Sequence, residues 1–242
     1  IGLIDFLTGT VWKPNQEQFG ILPVILTSVL GPFGAILIGV PLGLLFAIYL
    51  GKMAPKPVYQ VLRPTVDLLA GIPSVVYGLV GMMVLVPFVR DVFNVADGVG
   101  LFSSIIVLTV MVLPSIISVS ETALKAVPRE YEEASLALGA TGNETVFKVT
   151  FPAAKSGIAA SVVLGIGRAV GEAMAIMMVC GNVANMPSLF SSVRFLTTAI
   201  AGEMSYSSGL HRQALFSIAL ILYCFIMIIN MILNFFLKKK EQ

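Results

Sequence analysis

The sequence predicts an all-α integral membrane protein, and composition and run length carry that reading. Of 242 residues, 57% are hydrophobic and only 12% are charged, whereas soluble domains carry about 25% charged residues. Five runs are long enough to cross a hydrocarbon core as helix, which takes roughly 20 apolar residues. They are Ile21–Leu50, Leu68–Val89, Val99–Ser120, Gly157–Cys180 and Ala214–Leu237. None shows the period-two alternation of an outer-membrane barrel.

Residues 1–20 form a lead-in segment ahead of the first span. Spans one to three carry Pro32, Pro41, Pro73 and Pro114, which membrane helices tolerate when neighbours re-satisfy the backbone. In the second span, Gly71-Ile72-Pro73-Ser74 predicts a kink, because proline lacks a donor and clashes with the preceding turn. Ser74 either lines a cavity opened by the kink and contacts substrate, or merely accompanies it. Pro114-Ser115 repeats the pattern more weakly. The transmembrane domain runs over 21–237, interrupted by a polar island at 121–156, and 238–242 form a basic tail.

Charge in the connections sets orientation. One side holds Lys52, Lys56, Arg63, Lys125, Arg129, Lys148, Lys155, Lys238, Lys239 and Lys240, ten in all; the other holds four, Lys13, Arg90, Arg194 and Arg212. The island and the C-terminus are therefore expected in the cytoplasm, and residue 1 outside. Five spans starting outside, from an Ile1 that is not an initiator methionine, predict an additional N-terminal span or a cleaved signal peptide.

Within the island, Ser118-x-x-Glu121 matches a capping box at the end of a span. Pro128 suits the first turn of a helix whose Glu130, Glu132 and Glu133 favour its N-terminal dipole. Gly139 suits a C-cap, Thr141-x-x-Glu144 a second capping box, and Pro152 a limit to the helix that follows. Leu136, Leu138, Val146, Phe147, Val149 and Phe151 supply apolar surface for the bundle or for a partner. Glu133-Ala134-Ser135-x3-Gly139, followed ten residues on by Val149-Thr150-Phe151-Pro152, resembles the EAA loop of ABC importer permeases. Ser135, Val149 and Phe151 depart from that consensus conservatively. The resemblance implies a type I ABC importer transmembrane domain whose coupling helix docks on an ATPase through Glu133, Ala134, Ser135, Gly139 and Pro152.

No phosphate-cradling G-x4-G-K-[ST] loop occurs, so ATP and Mg are expected on a separate ATPase chain, with no cofactor or catalytic residue in this one. Gly165-x-Gly167-x3-Gly171 lies within a span and predicts close helix packing. Cys180 and Cys224 read as small packed hydrophobes, and the dispersed basic residues exclude a nucleic-acid stripe.

Arg168 and Glu172 lie near the middle of the fourth span, where a charge costs at least about 2.5–3.5 kcal/mol and usually faces a bundle interior or a wet cavity. Their i,i+4 spacing permits mutual pairing on one helix face. The pair is either a structural lock or part of a substrate path, in which the guanidinium fork engages an oxyanion. Leu69–Gly78 and Gly165–Ala175 are similar to the second and charged spans of phosphate (Pst-type) ABC importer permeases. That resemblance implies import of inorganic phosphate, a PstA-like second permease, two PstB-like ATPase subunits and an external PstS-like binding protein in the cytoplasmic (inner) membrane. Another oxyanion (phosphonate, sulfate, molybdate) is the first alternative, and a non-transporting scaffold or signalling subunit the second.

Gly181–Gln213 is too polar to span and is long for a connection. Pro187–Phe190 and Phe195–Ile200 are expected as short helices. His211, the only histidine, and Arg212 lack metal-ligand spacing; they suit either docking of the binding protein or an exposed loop end.

Overall fold

The computed structural model describes residues 2–239, with side chains up to Ile232; Ile1 and the Lys240–Gln242 part of the expected tail lie outside the described residues. A short helix, α1 (Leu3–Thr8), precedes a hairpin of β1 (Trp12–Lys13) and β2 (Gln18–Phe19), paired antiparallel with Trp12 opposite Phe19. Then come α2 (Leu22–Ile48), α3 (Lys56–Gly71), α4 (Ser74–Val80), α5 (Val86–Phe93) and α6 (Leu101–Lys125). The island holds α7 (Arg129–Ala137), α8 (Gly142–Thr145) and α9 (Phe151–Ala153). The chain finishes with α10 (Lys155–Gly171), α11 (Met174–Val179), α12 (Leu196–Glu203) and α13 (Gly209–Lys239).

Among the described residues four continuous helices are long and apolar enough to cross a membrane: Leu22–Met53, Ser74–Phe93, Leu101–Lys125 and Gly209–Ile232. A further pair, Gly142–Ala153 and Lys155–Gly171, bent by 70°, reaches the same length and apolarity only when the two are taken together. Three π-helical turns, Tyr49–Met53, Gly81–Leu85 and Val146–Thr150, are built into these helices.

Two spans differ from expectation. The second begins at Ser74 rather than Leu68, because Pro73 forces the residue before it out of helical geometry; Ile72 is extended (φ −69°, ψ 129°). Residues 56–71 instead make a separate amphipathic helix. The fourth run breaks after Gly171 and restarts at Met174, with Ala173 outside helical geometry (φ −123°, ψ −51°). Pro32 and Pro41 sit inside α2 and Pro114 inside α6 without ending either helix.

The chain forms two compact units. One contains the chain up to Ala35, Pro73–Thr109 and Arg168–Ile229. Its largest core packs Phe6, Phe19, Ile21 and Val24 on Leu196, Ala199, Leu215 and Ile218, so the lead-in segment is fastened to α12 and α13. A second cluster joins Val86, Val107, Ala175 and Val179. The other unit contains Ile36–Ile72, Val110–Gly167 and the chain from Asn230. Here Ala47, Ile48, Leu124, Val127, Val146, Ala154 and Ile158 form the core beneath the island, beside a cluster of Leu50, Val66 and Ile117.

Glycines set how near the helices come. A Cβ on Gly78 would lie 2.7 Å from the Ala175 carbonyl oxygen, and one on Gly81 3.1 Å from a Val179 methyl. Residues rise together on both helices, so α4 and α11 run parallel in near backbone contact. Gly165 approaches Ile116 closely, but Gly167 and Gly171 meet no described atom within 4 Å of a built Cβ. Among the described residues nothing packs on either glycine. Gly78→Ala presses a methyl against backbone that cannot yield cheaply. We expect a loss of about 1–3 kcal/mol, read as a lower Tm of the purified protein; an unchanged Tm would rule out the close α4–α11 approach.

Candidate functional site

The island is held together by local chemistry. α7 starts after extended Pro128 (φ −57°, ψ 137°) and opens with Glu130 and Glu132 in its first turn. It ends at Gly139, whose φ of +88° is the left-handed conformation glycine adopts without penalty. The expected capping box is present: Glu144 N–H donates to Thr141 Oγ1 at 3.3 Å, and Thr141 N–H donates to Glu144 Oε2 at 3.0 Å. Ser135 Oγ and Thr145 Oγ1, 2.9 Å apart, tie α7 to α8. Glu133, Ala134, Gly139 and Pro152 are exposed, while Ser135 is half-buried. Tyr131, Leu136, Leu138 and Phe147 stand open to solvent, Leu138 at 90%, whereas Val146 is in the core and Phe151 packs on it. The island thus presents an apolar face with no covering element among the described residues.

Ser118-x-x-Glu121 is not a capping box, because α6 runs on to Lys125 and turns Glu121 inward. The Glu121 side chain, 2% exposed, accepts from Tyr59 Oη at 3.0 Å and pairs with Lys125 Nζ at 2.7 Å and with Arg63. Glu132 makes a second hub that the sequence pattern did not reveal: Lys52 Nζ lies 2.5 Å and Thr150 Oγ1 3.1 Å from its Oε1. Each partner is too distant in sequence for a spacing rule to find.

The intramembrane charges lie in the first unit, at the break in the fourth span. Arg168 occupies the last turn of α10, where a cation suits the helix C-terminal dipole. Glu172 lies in the break itself, directly after the end of α10. It accepts from Ala175 N–H at 2.9 Å, and its own carbonyl accepts from Thr197 Oγ1 at 2.7 Å. Both bonds re-satisfy backbone freed by the break. Ser74, half-buried, is the first residue of α4. The parallel α4–α11 register sets it at the level of the α10–α11 break, and Arg168 is near enough to act electrostatically on Tyr77 one turn further along.

On the other side of this unit, Glu203 gathers Arg194 Nη1 at 2.5 Å, Trp12 Nε1 at 3.0 Å and His211 Nε2 at 2.9 Å. His211 therefore points inward, and only Arg212 is exposed. An open cavity of about 470 Å³ lies alongside, lined by Lys13, Asn15, Asn182, Arg194 and Glu203 among others. Leu196–Glu203 is helical nearly as expected, whereas 187–190 is not.

Interrupted apolar helices around a half-buried arginine, with a folded polar island between spans, are the construction of a transport permease. A family profile described as binding-protein-dependent transport system inner membrane component matches residues 39–241. The chain belongs to that family. It is 40% identical over 236 residues to the probable ABC transporter permease protein YqgH of Bacillus subtilis (strain 168), covering 94% of this chain and 76% of the relative. It is 33% identical to the phosphate transport system permease protein PstC of Pasteurella multocida (strain Pm70), covering 98% of this chain and 81% of the relative. For the PstC of Haemophilus influenzae (strain ATCC 51907 / DSM 11121 / KW20 / Rd) the identity is 34%, covering 98% and 82%. Among solved structures, an inward-facing MetNI methionine ABC transporter chain superposes with a TM-score of 0.65 at 22% identity, covering 91% of this chain and 94% of that one. An amino acid ABC transporter crystallised with histidines gives 0.65 at 20%, covering 90% and 92%. The fold is therefore that of type I ABC importer permeases, as the sequence predicts.

Glu144 and Lys148 are both exposed, in the polar island between the apolar runs. The Thr141 backbone N–H, the Lys148 ammonium and the Thr141 hydroxyl hold the Glu144 carboxyl down from 4.5 to about 2. Because its folded value is depressed, the cap contributes fully above the unfolded value and is lost as pH falls from about 4.5 towards 2. A ¹³C-carboxyl titration should place Glu144 near the lower value, and Thr141→Val should move it back up; an ordinary midpoint in the unsubstituted chain would refute the cap.

Proposed function

We propose that this chain is a permease subunit of an ATP-driven importer of inorganic phosphate, comparable in role to the PstC relatives. One observation carries the reading: a guanidinium held in the last turn of an apolar helix, directly before a break in that helix. Helix breaks at membrane depth occur where backbone is buried in protein or lines a cavity. A planar fork with several donors suits a tetrahedral oxyanion. Arg168 would meet the anion, Ser74 would line the same path, and Glu172 would hold the restart of the helix in place.

Orientation follows the basic connections, with the island and the C-terminus cytoplasmic and the lead-in segment outside. The exposed face of α7, with Glu133, Ala134 and Gly139, would dock on an ATPase chain that binds ATP and Mg. A second, PstA-like permease, two PstB-like ATPase subunits and a PstS-like binding protein would complete the importer. Arg212 and the outer cavity face the side from which the binding protein would deliver phosphate, and His211 acts there only through Glu203.

The reading is tested in proteoliposomes containing the assembled complex, with labelled phosphate as the probe. We expect Arg168→Gln to assemble normally and to lose ATP-dependent uptake by at least about a hundredfold, the scale of about two charge-assisted hydrogen bonds. Uptake unchanged in that variant would remove Arg168 from the path. Saturable competition by sulfate or molybdate instead of phosphate would reassign the cargo. Gly139→Val places a branched side chain at φ +88°, a strain of roughly 1–2 kcal/mol. It should weaken copurification of the ATPase subunit, and undiminished copurification would count against docking at this turn.

A further inference from the structure

We propose that Glu132 is the joint that carries movement of α7 into the membrane helices, one carboxylate oxygen being gripped from two π-helical turns at once. This rests on the reading of α7 as the ATPase-facing helix and names the residue that would make the docking mechanically useful.

Neighbouring residues on a helix project about 100° apart. Glu133 is exposed, whereas Glu132 turns inward with its side chain 26% exposed. Its Oε1 takes Lys52 Nζ at 2.5 Å and Thr150 Oγ1 at 3.1 Å. The Lys52 side chain is only 13% exposed and Thr150 is fully buried, so the contact is more than a mobile surface ion pair.

Lys52 and Thr150 each lie on a π-helical turn. Lys52 belongs to Tyr49–Met53, which closes the first span, where Ala54 N–H reaches back five residues to the Tyr49 carbonyl at 2.7 Å. Thr150 belongs to Val146–Thr150, ahead of α9 and the bend into α10, where Phe151 N–H reaches back to Val146. Such turns are rare and frequently mark functional positions. Widening a turn rotates everything beyond it, and these two rotations bring an ammonium and a hydroxyl to the same oxygen.

Ala47 and Ile48, just before the turn that carries Lys52, and Val146 and Ala154, around the turn that carries Thr150, belong to one apolar core. A displacement of α7 must therefore either draw the end of the first span and the entrance to α10 with it or break a charge-assisted bond in a poorly solvated place. Removing the grip leaves the outward face of α7 untouched. The expected phenotype is loss of coupling with ATPase attachment intact.

The test uses the complete importer in proteoliposomes and reads labelled phosphate moved per ATP hydrolysed. Glu132→Gln and Lys52→Met should keep the ATPase subunits attached and hydrolysing, while the ratio falls about tenfold, within the range for residues that carry coupling. Thr150→Val should lower it less. The exchanged pair Lys52→Glu with Glu132→Lys should recover most of the ratio that Lys52→Glu alone loses. An unchanged ratio in Glu132→Gln and Lys52→Met overturns the joint, as does loss of ATPase subunits in every variant including the exchanged pair. A wild-type complex that copurifies with an ATPase but shows no ATP-dependent uptake would instead remove the importer reading, and the joint with it.

Discussion

The structure depends on one constraint: inside a hydrocarbon layer, each backbone donor and acceptor must find a partner within the protein. Continuous helix meets that demand without help, as α2 and α6 do despite their prolines. The breaks at Ile72-Pro73 and Glu172-Ala173 do not. At the second break the repair is visible, with the Glu172 carboxylate on Ala175 N–H and the Thr197 hydroxyl on the Glu172 carbonyl. At the first, proline removes one donor by its own chemistry. The close approach of Gly78 to the Ala175 backbone then packs the two restarted helices side by side.

A different rule organises the unit containing the island. Two of its carboxylates, Glu121 and Glu132, each draw several partners together. Glu121 gathers Arg63, Lys125 and Tyr59, so α3 and the end of α6 are fastened at one point. Glu132 fastens α7 to two further segments. Coulomb attraction is stronger where water is scarce, and an abandoned partner costs more there. Two such points can hold a short polar segment firmly while its outer face remains free.

Legibility followed sequence distance. The spans were readable because an apolar run long enough to cross a bilayer needs no partner to be recognised, and the Thr141–Glu144 box because it closes over three residues. Gly139 was readable for the same reason, since a left-handed cap is a one-residue requirement. The break at Glu172 was not, because Gly171-Glu172-Ala173 contains no proline and the run stays apolar beyond it. Neither hub was foreseeable: Glu132 pairs with a lysine 80 positions away, and Glu203 meets Trp12 across 191. His211 meets Glu203 eight positions away, beyond the reach of a single-turn spacing rule.

The break also changes how the intramembrane charges must be understood. On an unbroken helix, Arg168 and Glu172 would share one face four residues apart. In the broken arrangement each charge sits at the helix end that suits it: Arg168 in the last turn of α10, where carbonyl dipoles point, and Glu172 ahead of α11, where an N–H group donates to it. Each is therefore favoured where it sits by the backbone of a different helix. Under the proposed function this favours passage over capture. The nearby carboxylate, committed through one oxygen to Ala175, keeps the surrounding potential from becoming a permanent trap for an oxyanion at Arg168.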